Sequence, residues 1–297
     1  MKTTYKFTLV CGILALTVAC TSNTANTDKE HITVDQENVD KTLNTRFNGR
    51  IFSVPSPILT MTLLRKIEPT FKASLLNNVS KVDSYQTEYK RALNLGIYGA
   101  DLGYSSIYME KKQIMDYIVT VEKITKSLGL ESAFDKSFFE RYQKHTDNTD
   151  SMMHIVSEAF KNADLFLKND NRKTVSSLIL AGGWVESMHF ATSLMKNNKN
   201  DKELIDRVGE QKQTLQTLIA VLEENNKNNE SDQLIQSFRD LKTSFDQILM
   251  NYKYAEPTTD AKKHITTLNH DISFDVQSAT LNEITEKITK LRTHIIN

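Results

Sequence analysis

Cysteine is almost missing from this chain: Cys11 and Cys20 are the only two in 297 residues. Proline and glycine are scarce as well, at four and nine, which argues against a turn-rich β architecture. There is no net charge, because 37 basic residues balance 37 acidic ones. No segment gathers Lys and Arg among aromatics, so nucleic acid is not an expected partner. Beyond the first twenty residues no long apolar run occurs, and the body is not expected to lie within a bilayer. What is present is apolar residues recurring at helical spacing along most of the chain.

The one uninterrupted apolar stretch is at the start. Lys2 and Lys6 precede Phe7–Ala19, which has hardly a polar residue, and this is the layout of a secretory signal. The stretch is shorter than the roughly twenty residues that span a membrane. Val18 and Ala19 offer the small side chains a signal peptidase admits, and Cys20 follows at once. Leu16-Thr17-Val18-Ala19-Cys20 therefore resembles the lipobox of bacterial lipoproteins, with Thr17 where Leu is commonest and Leu16 one place earlier. The resemblance implies cleavage after residue 19, diacylglycerol in thioether linkage on Cys20, and a third acyl chain such as palmitate on the new amine. At about 0.8 kcal/mol per buried methylene, two or three chains hold a protein firmly to a membrane where one does not. The 278 residues after the cut would carry about −2, since Lys2 and Lys6 leave with the signal. They would contain no thiol pair, which rules out disulfides. Thr21 rather than Asp after the cysteine favours the outer membrane; whether the body faces the periplasm or the exterior stays open.

Residues 20–50 are polar and rich in Thr, Asn and Asp. Such a segment buries too little to offset its ordering entropy, and it reads as a tether. Residues 51–297 read as one all-α domain, a globular bundle of roughly eight to ten antiparallel helices. Pro55 and Pro57 are expected to open the first, where a missing N–H costs nothing. Apolar stripes run through Ile114–Leu128, Met152–Leu167, Leu204–Leu222, Leu234–Ile248 and Ile284–Ile295. Ser80, Asp135, Asn148, Asp170 and Ser231 stand where N-caps belong. Ile272, Phe274 and Val276 alternate with polar residues, which could make a short extended piece, though seven residues do not make a sheet.

Two helices break the amphipathic pattern. Residues 92–104 and 178–191 are apolar nearly all round and carry interior glycines, each costing about 1 kcal/mol against alanine. Gly96, Gly99 and Gly103 share a face without side chains, and the helix bearing Ala181, Gly182 and Gly183 is the expected partner at the centre of the bundle. The same segments hold the candidate buried polar or ligand cluster: Tyr98, Asp101, Tyr104, Trp184, Glu186 and His189. Glu186 and His189 form Glu-x-x-His, a spacing that di-iron bundles use twice together with two further glutamates; here it occurs once. His154 and Glu158, at i and i+4, could add to a mononuclear metal site. The alternative is that Glu186 and His189 satisfy each other or backbone groups at a helix crossing. The remaining histidines (His31, His145, His264, His270 and His294) read as solvated. Gly-x-Ser-x-Gly, His-Glu-x-x-His and phosphate-cradling glycine loops are absent, and no cofactor is expected.

The order of Asn94–Tyr104, Leu128-Gly129-Leu130 and Ala181–Ser187 resembles that of a group of uncharacterised all-helical lipoproteins from Bacteroidota, over about residues 55–250. That resemblance implies the fold and an envelope location, and supplies no activity. The expected function is a lipid-anchored, non-enzymatic domain binding an envelope protein or a small ligand. The alternative is a metal-dependent or hydrolytic enzyme built on the Glu186/His189 helix.

Overall fold

Apolar residues at three- and four-residue spacing produce nine α-helices among the described residues, and the protein is all-α with a few short strands. The computed structural model describes residues 42–47, 50–55, 57–132, 136–145, 147–169, 171–196, 201–262 and 265–297. The stretch read as a signal, Cys20, most of the segment read as a tether, the expected caps Asp135 and Asp170, and His31 and His264 lie outside them. In chain order, β1 (Thr42–Phe47) and β2 (Arg50–Pro55) form an antiparallel hairpin. This pairing takes the end of the segment read as tether, and Pro55 closes β2 instead of opening a helix. Pro57 does stand at the first position of α1 (Pro57–Ile67).

Two 3-10 turns, Ala73–Leu75 and Val79–Ser84, lead to α2 (Glu88–Ile107) and α3 (Lys111–Ser127). Then come α4 (Lys136–Lys144), α5 (Thr149–Asn169), α6 (Lys173–Met195), α7 (Lys202–Glu224) and α8 (Asp232–Asp246). A β excursion follows, with β3 (Leu249–Lys253), β4 (Thr258–Asp260), β5 (Ile265–Thr267) and β6 (Asp271–Asp275), and α9 (Ser278–Ile296) ends the chain.

Helix boundaries follow local chemistry. Thr87 Oγ1 accepts from Lys90 N at 3.1 Å and Asp201 Oδ1 from Leu204 N at 2.9 Å. Asn148 Oδ1 caps α5 through Ser151 N, 2.9 Å. Ser80 is not a cap; its own N–H donates to Asn78 Oδ1 at 2.9 Å. Ser231 precedes α8 without a side-chain cap bond, and Asn226 Oδ1 takes its N–H instead. Helix α3 stops where Gly129 adopts φ 65°. Leu130 N then donates to Thr125 O and Gly129 N to Lys126 O, the paired bonds of a Schellman ending, which needs a residue free to turn left-handed.

Helix α6 explains why its sequence is apolar all round: it touches α1, α2, α5, α7 and α9, so almost no side of it meets water. Its main partner is α2, as the glycine pattern predicts. A Cβ on Gly96 would overlap the Ile179 carbonyl oxygen and the Gly183 amide, and one on Gly182 would overlap the Leu93 carbonyl oxygen. The contact is backbone on backbone. Gly103 lies outside it and has ordinary contact space against Met153 Cε, 3.7 Å.

The alternation at 272–276 is extended as expected over Ile272–Asp275, but it also joins a sheet, which its length did not imply. β6 pairs with β3 in antiparallel register, Met250 opposite Phe274 and Tyr252 opposite Ile272. The α8 stripe continues through Ile248 in the sequence, but the helix ends at Asp246 and the chain turns extended. Phe274 anchors the arm by filling the space over Gly209 of α7, where a Cβ would collide with its ring.

Candidate functional site

Helices α2 and α6 cross closely enough to bring a carboxyl from each to the same buried place. Asp101 and Glu186 are both 0% exposed. A bare carboxylate there would cost far more than the fold could tolerate, so each needs a partner. Glu186 finds it in Arg292 on α9: Nε donates to Oε2 at 2.5 Å and Nη2 to Oε1 at 2.6 Å, a two-pronged pairing. Arg292 Nη2 also donates to the Leu75 carbonyl at 2.9 Å, tying in the 3-10 segment.

Asp101 has less. The Asn77 backbone N–H donates to its Oδ2 at 3.3 Å. Burial pushes its carboxyl well above the usual range, and the charge of Glu186 pushes it further, against the opposing pull of Arg292. Burial also raises Glu186, while the Arg292 bonds draw it back down. Asp101, whose Oδ1 has no hydrogen-bond partner, is thereby favoured in its protonated form, while Glu186 stays ionised against Arg292. The unit is electrically neutral: one protonated acid, one carboxylate, one guanidinium.

Tyrosines close it off. Tyr117 Oη donates to Asn77 O at 2.6 Å, Asn77 Nδ2 to Tyr85 Oη at 3.1 Å, and Tyr98 Oη to Asn78 O at 3.0 Å. The Tyr98 ring tilts against Tyr85 and Tyr117, with centroids 6.3 and 6.1 Å apart. Burial raises Tyr98 and Tyr117 far above an ordinary phenol, so neither titrates near neutrality.

Of the six residues expected to form a cluster, Asp101 and Glu186 come together, with Tyr98 beside them and His189 at the edge. Burial pushes His189 down to about 3, and the charges of Arg292 and Lys196 lower it too. It is a neutral imidazole, and the partner of Glu186 is Arg292 rather than His189. Tyr104 lies elsewhere on α2, stacked on Phe190 at 4.6 Å and accepting from Lys72 N at 3.3 Å. Trp184 points to α7 and α8, donating to Gln211 Oε1 at 3.0 Å and packing on Phe238 and Phe245.

The metal candidates do not converge. His154 is exposed, and Glu158 pairs with Arg141 at 2.9 Å. Among the described residues no group of three or more His, Cys, Asp or Glu is placed to hold a metal ion. His145 and His294 are exposed, whereas His270 is half-buried beside the Tyr252 ring.

Arg292, Asn77, Tyr85 and Tyr117 were not among the sequence candidates. Arg292 had one available signal: it stands beside Leu291 on the stripe formed by Ile288, Leu291 and Ile295, where a charge facing inward needs a partner. A groove of about 430 Å³ opens between the start of α2 and the end of α9, lined by Tyr89, Leu93, Lys290 and His294 among others; none of the six cluster residues reaches it. No helix of the described residues is long and apolar enough to cross a membrane. No protein-family model, curated protein or solved structure matches the chain.

Proposed function

We propose that the chain is a lipid-anchored cell-envelope protein whose helical body is a non-enzymatic binding or interaction domain. The observation that carries the second half is the closure of the Asp101–Glu186–Arg292 unit. Glu186, the one residue whose spacing to His189 suggested catalysis or metal binding, is fully buried and committed to Arg292 on both oxygens. A general base must reach the proton it takes, and this one is sealed and charge-compensated. Its arrangement supports a structural role that ties α2, α6 and α9 together.

The anchoring half rests on the lysine-flanked apolar stretch and on Cys20 following Val18-Ala19. Thr21 after the cysteine supports outer-membrane placement, and the partner would be an envelope protein or a small ligand. Cys20→Ser tests the anchor. The native chain should fractionate with membranes and incorporate labelled palmitate, while the variant should lose the label and appear in the soluble fraction. A Cys20→Ser protein that stays membrane-bound would end the lipoprotein reading. Elemental analysis of protein purified in metal-free buffer tests the other half; a stoichiometric metal lost on Glu186→Gln would replace binding domain with metalloenzyme.

A further inference from the structure

Six of the ten exposed large hydrophobic residues among the described ones lie in a single excursion, residues 249–272: Leu249, Met250, Tyr252, Tyr254, Leu268 and Ile272. A soluble surface rarely concentrates apolar side chains this way without a use for them. The excursion is also built around a bare strand. β3 pairs only with β6 among the described residues, so its other edge carries unpaired N–H and C=O groups, and all five of its residues are exposed. An open edge of this kind is a template for another strand.

Charge decides which edge can take which strand. β6 reads Asp271-Ile272-Ser273-Phe274-Asp275. Antiparallel pairing of β6 with a second β6 about Ser273 would set Asp271 against Asp275 twice, and like charges directly opposite are destabilising. β3 reads Leu249-Met250-Asn251-Tyr252-Lys253. Antiparallel pairing of β3 with another β3 about Asn251 opposes Met250 to Tyr252 and Leu249 to Lys253, with no repulsion anywhere.

That pairing extends the register within each chain. Ile272 is already opposite Tyr252, and Phe274 opposite Met250. Across a two-fold axis at Asn251 the rows become Ile272, Tyr252, Met250, Phe274, read over two strands of one chain and two of the other. The second row is the same by symmetry, so one face of the four-stranded sheet carries only apolar side chains, with Phe274 of each chain already seated over its own Gly209. The polar row Ser273, Asn251, Asn251, Ser273 lies on the opposite face. A lipid surface is less well matched: residues 249–276 carry three basic against four acidic side chains, leaving no positive patch for anionic headgroups.

We infer that the β3 edge is a self-association surface, at which two copies of this chain pair antiparallel about Asn251 to form one four-stranded sheet. This is an isologous contact, closed by its own symmetry. It is independent of the lipid anchor.

The test uses the full chain with Cys11 and Cys20 replaced by serine, which removes lipid-driven association and stray thiols. Sedimentation should give twice the mass of one chain. Asn251→Lys and Asn251→Glu, each placing like charges together at the axis, should each sediment as monomers with unchanged far-UV circular dichroism. A one-to-one mixture of the two should recover the doubled mass. As a measurement that does not depend on destabilising anything, Asn251→Cys in the same background should form a disulfide-linked dimer on mild oxidation, whereas Lys262→Cys should not. A native chain that stays monomeric to its solubility limit would overturn the inference, as would charge variants that remain dimeric or a mixture that stays monomeric.

Discussion

Arg292 holds the charged centre of the interior together. Its guanidinium compensates Glu186 and holds the Leu75 carbonyl at the same time. A buried ion pair is weak evidence of stability in itself, but breaking one by removing a single partner costs about 3–5 kcal/mol. Arg292→Ala should therefore destabilise the fold by about that much in urea unfolding. The double change Glu186→Gln with Arg292→Met should recover most of the loss, since no buried charge is then left alone. Equal loss in the single and double variants would show that packing, not charge, is what Arg292 supplies. The polar half of this cluster was legible in the sequence because Asp101 and Glu186 stand out among apolar neighbours. Arg292 was not, for a physical reason: it joins Glu186 across 106 positions of the chain, and one sequence carries no mark of which distant helix a side chain meets.

The helices themselves were largely readable. Apolar spacing predicted their number and kind, and the glycines at 96 and 182–183 identified the pair that crosses at the centre. The glycine run is less uniform than its spacing implies, because Gly103 faces Met153 rather than α6. This difference can be measured. Gly182→Ala drives a methyl into the Leu93 carbonyl and should cost about 3 kcal/mol or more, at the upper end for overpacking. Gly103→Ala has room and should gain up to about 1 kcal/mol from helix propensity. Thermal melts followed by circular dichroism should move in opposite directions; a common direction would refute the backbone-contact account of the crossing. The strands were the elements missed. β3 continues the apolar stripe of α8 without a break in composition, so its periodicity could not reveal that Phe274, docked over Gly209, would claim Met250 as a cross-strand partner.

Across the whole molecule, two of the displaced ionisations, Asp101 and His189, act on stability in opposite directions with pH. Asp101 is raised, so the folded protein keeps a proton that the unfolded chain releases above about pH 4. Stability then falls as pH climbs from there toward the raised value, by at most about 1.4 kcal/mol per unit. His189, lowered to about 3, acts the other way: below about pH 6.5 the unfolded chain binds a proton the folded one refuses, and stability falls as pH drops. The slopes oppose each other between about pH 4 and 6.5. Asp101→Asn, which removes the titrating group at nearly the same size, should gain on the native protein as pH rises above that lower bound, and His189→Gln should gain as pH falls below the upper one. Denaturation midpoints across pH test both; three parallel profiles would remove the assignment. The pairing of Glu186 with α9 also bears on timing. Until α9 docks, Glu186 has no counter-charge to enter the core with. The centre of the bundle therefore closes only when helices 106 positions apart in the chain meet, which ties its completion to a contact of long sequence separation and not to any local one.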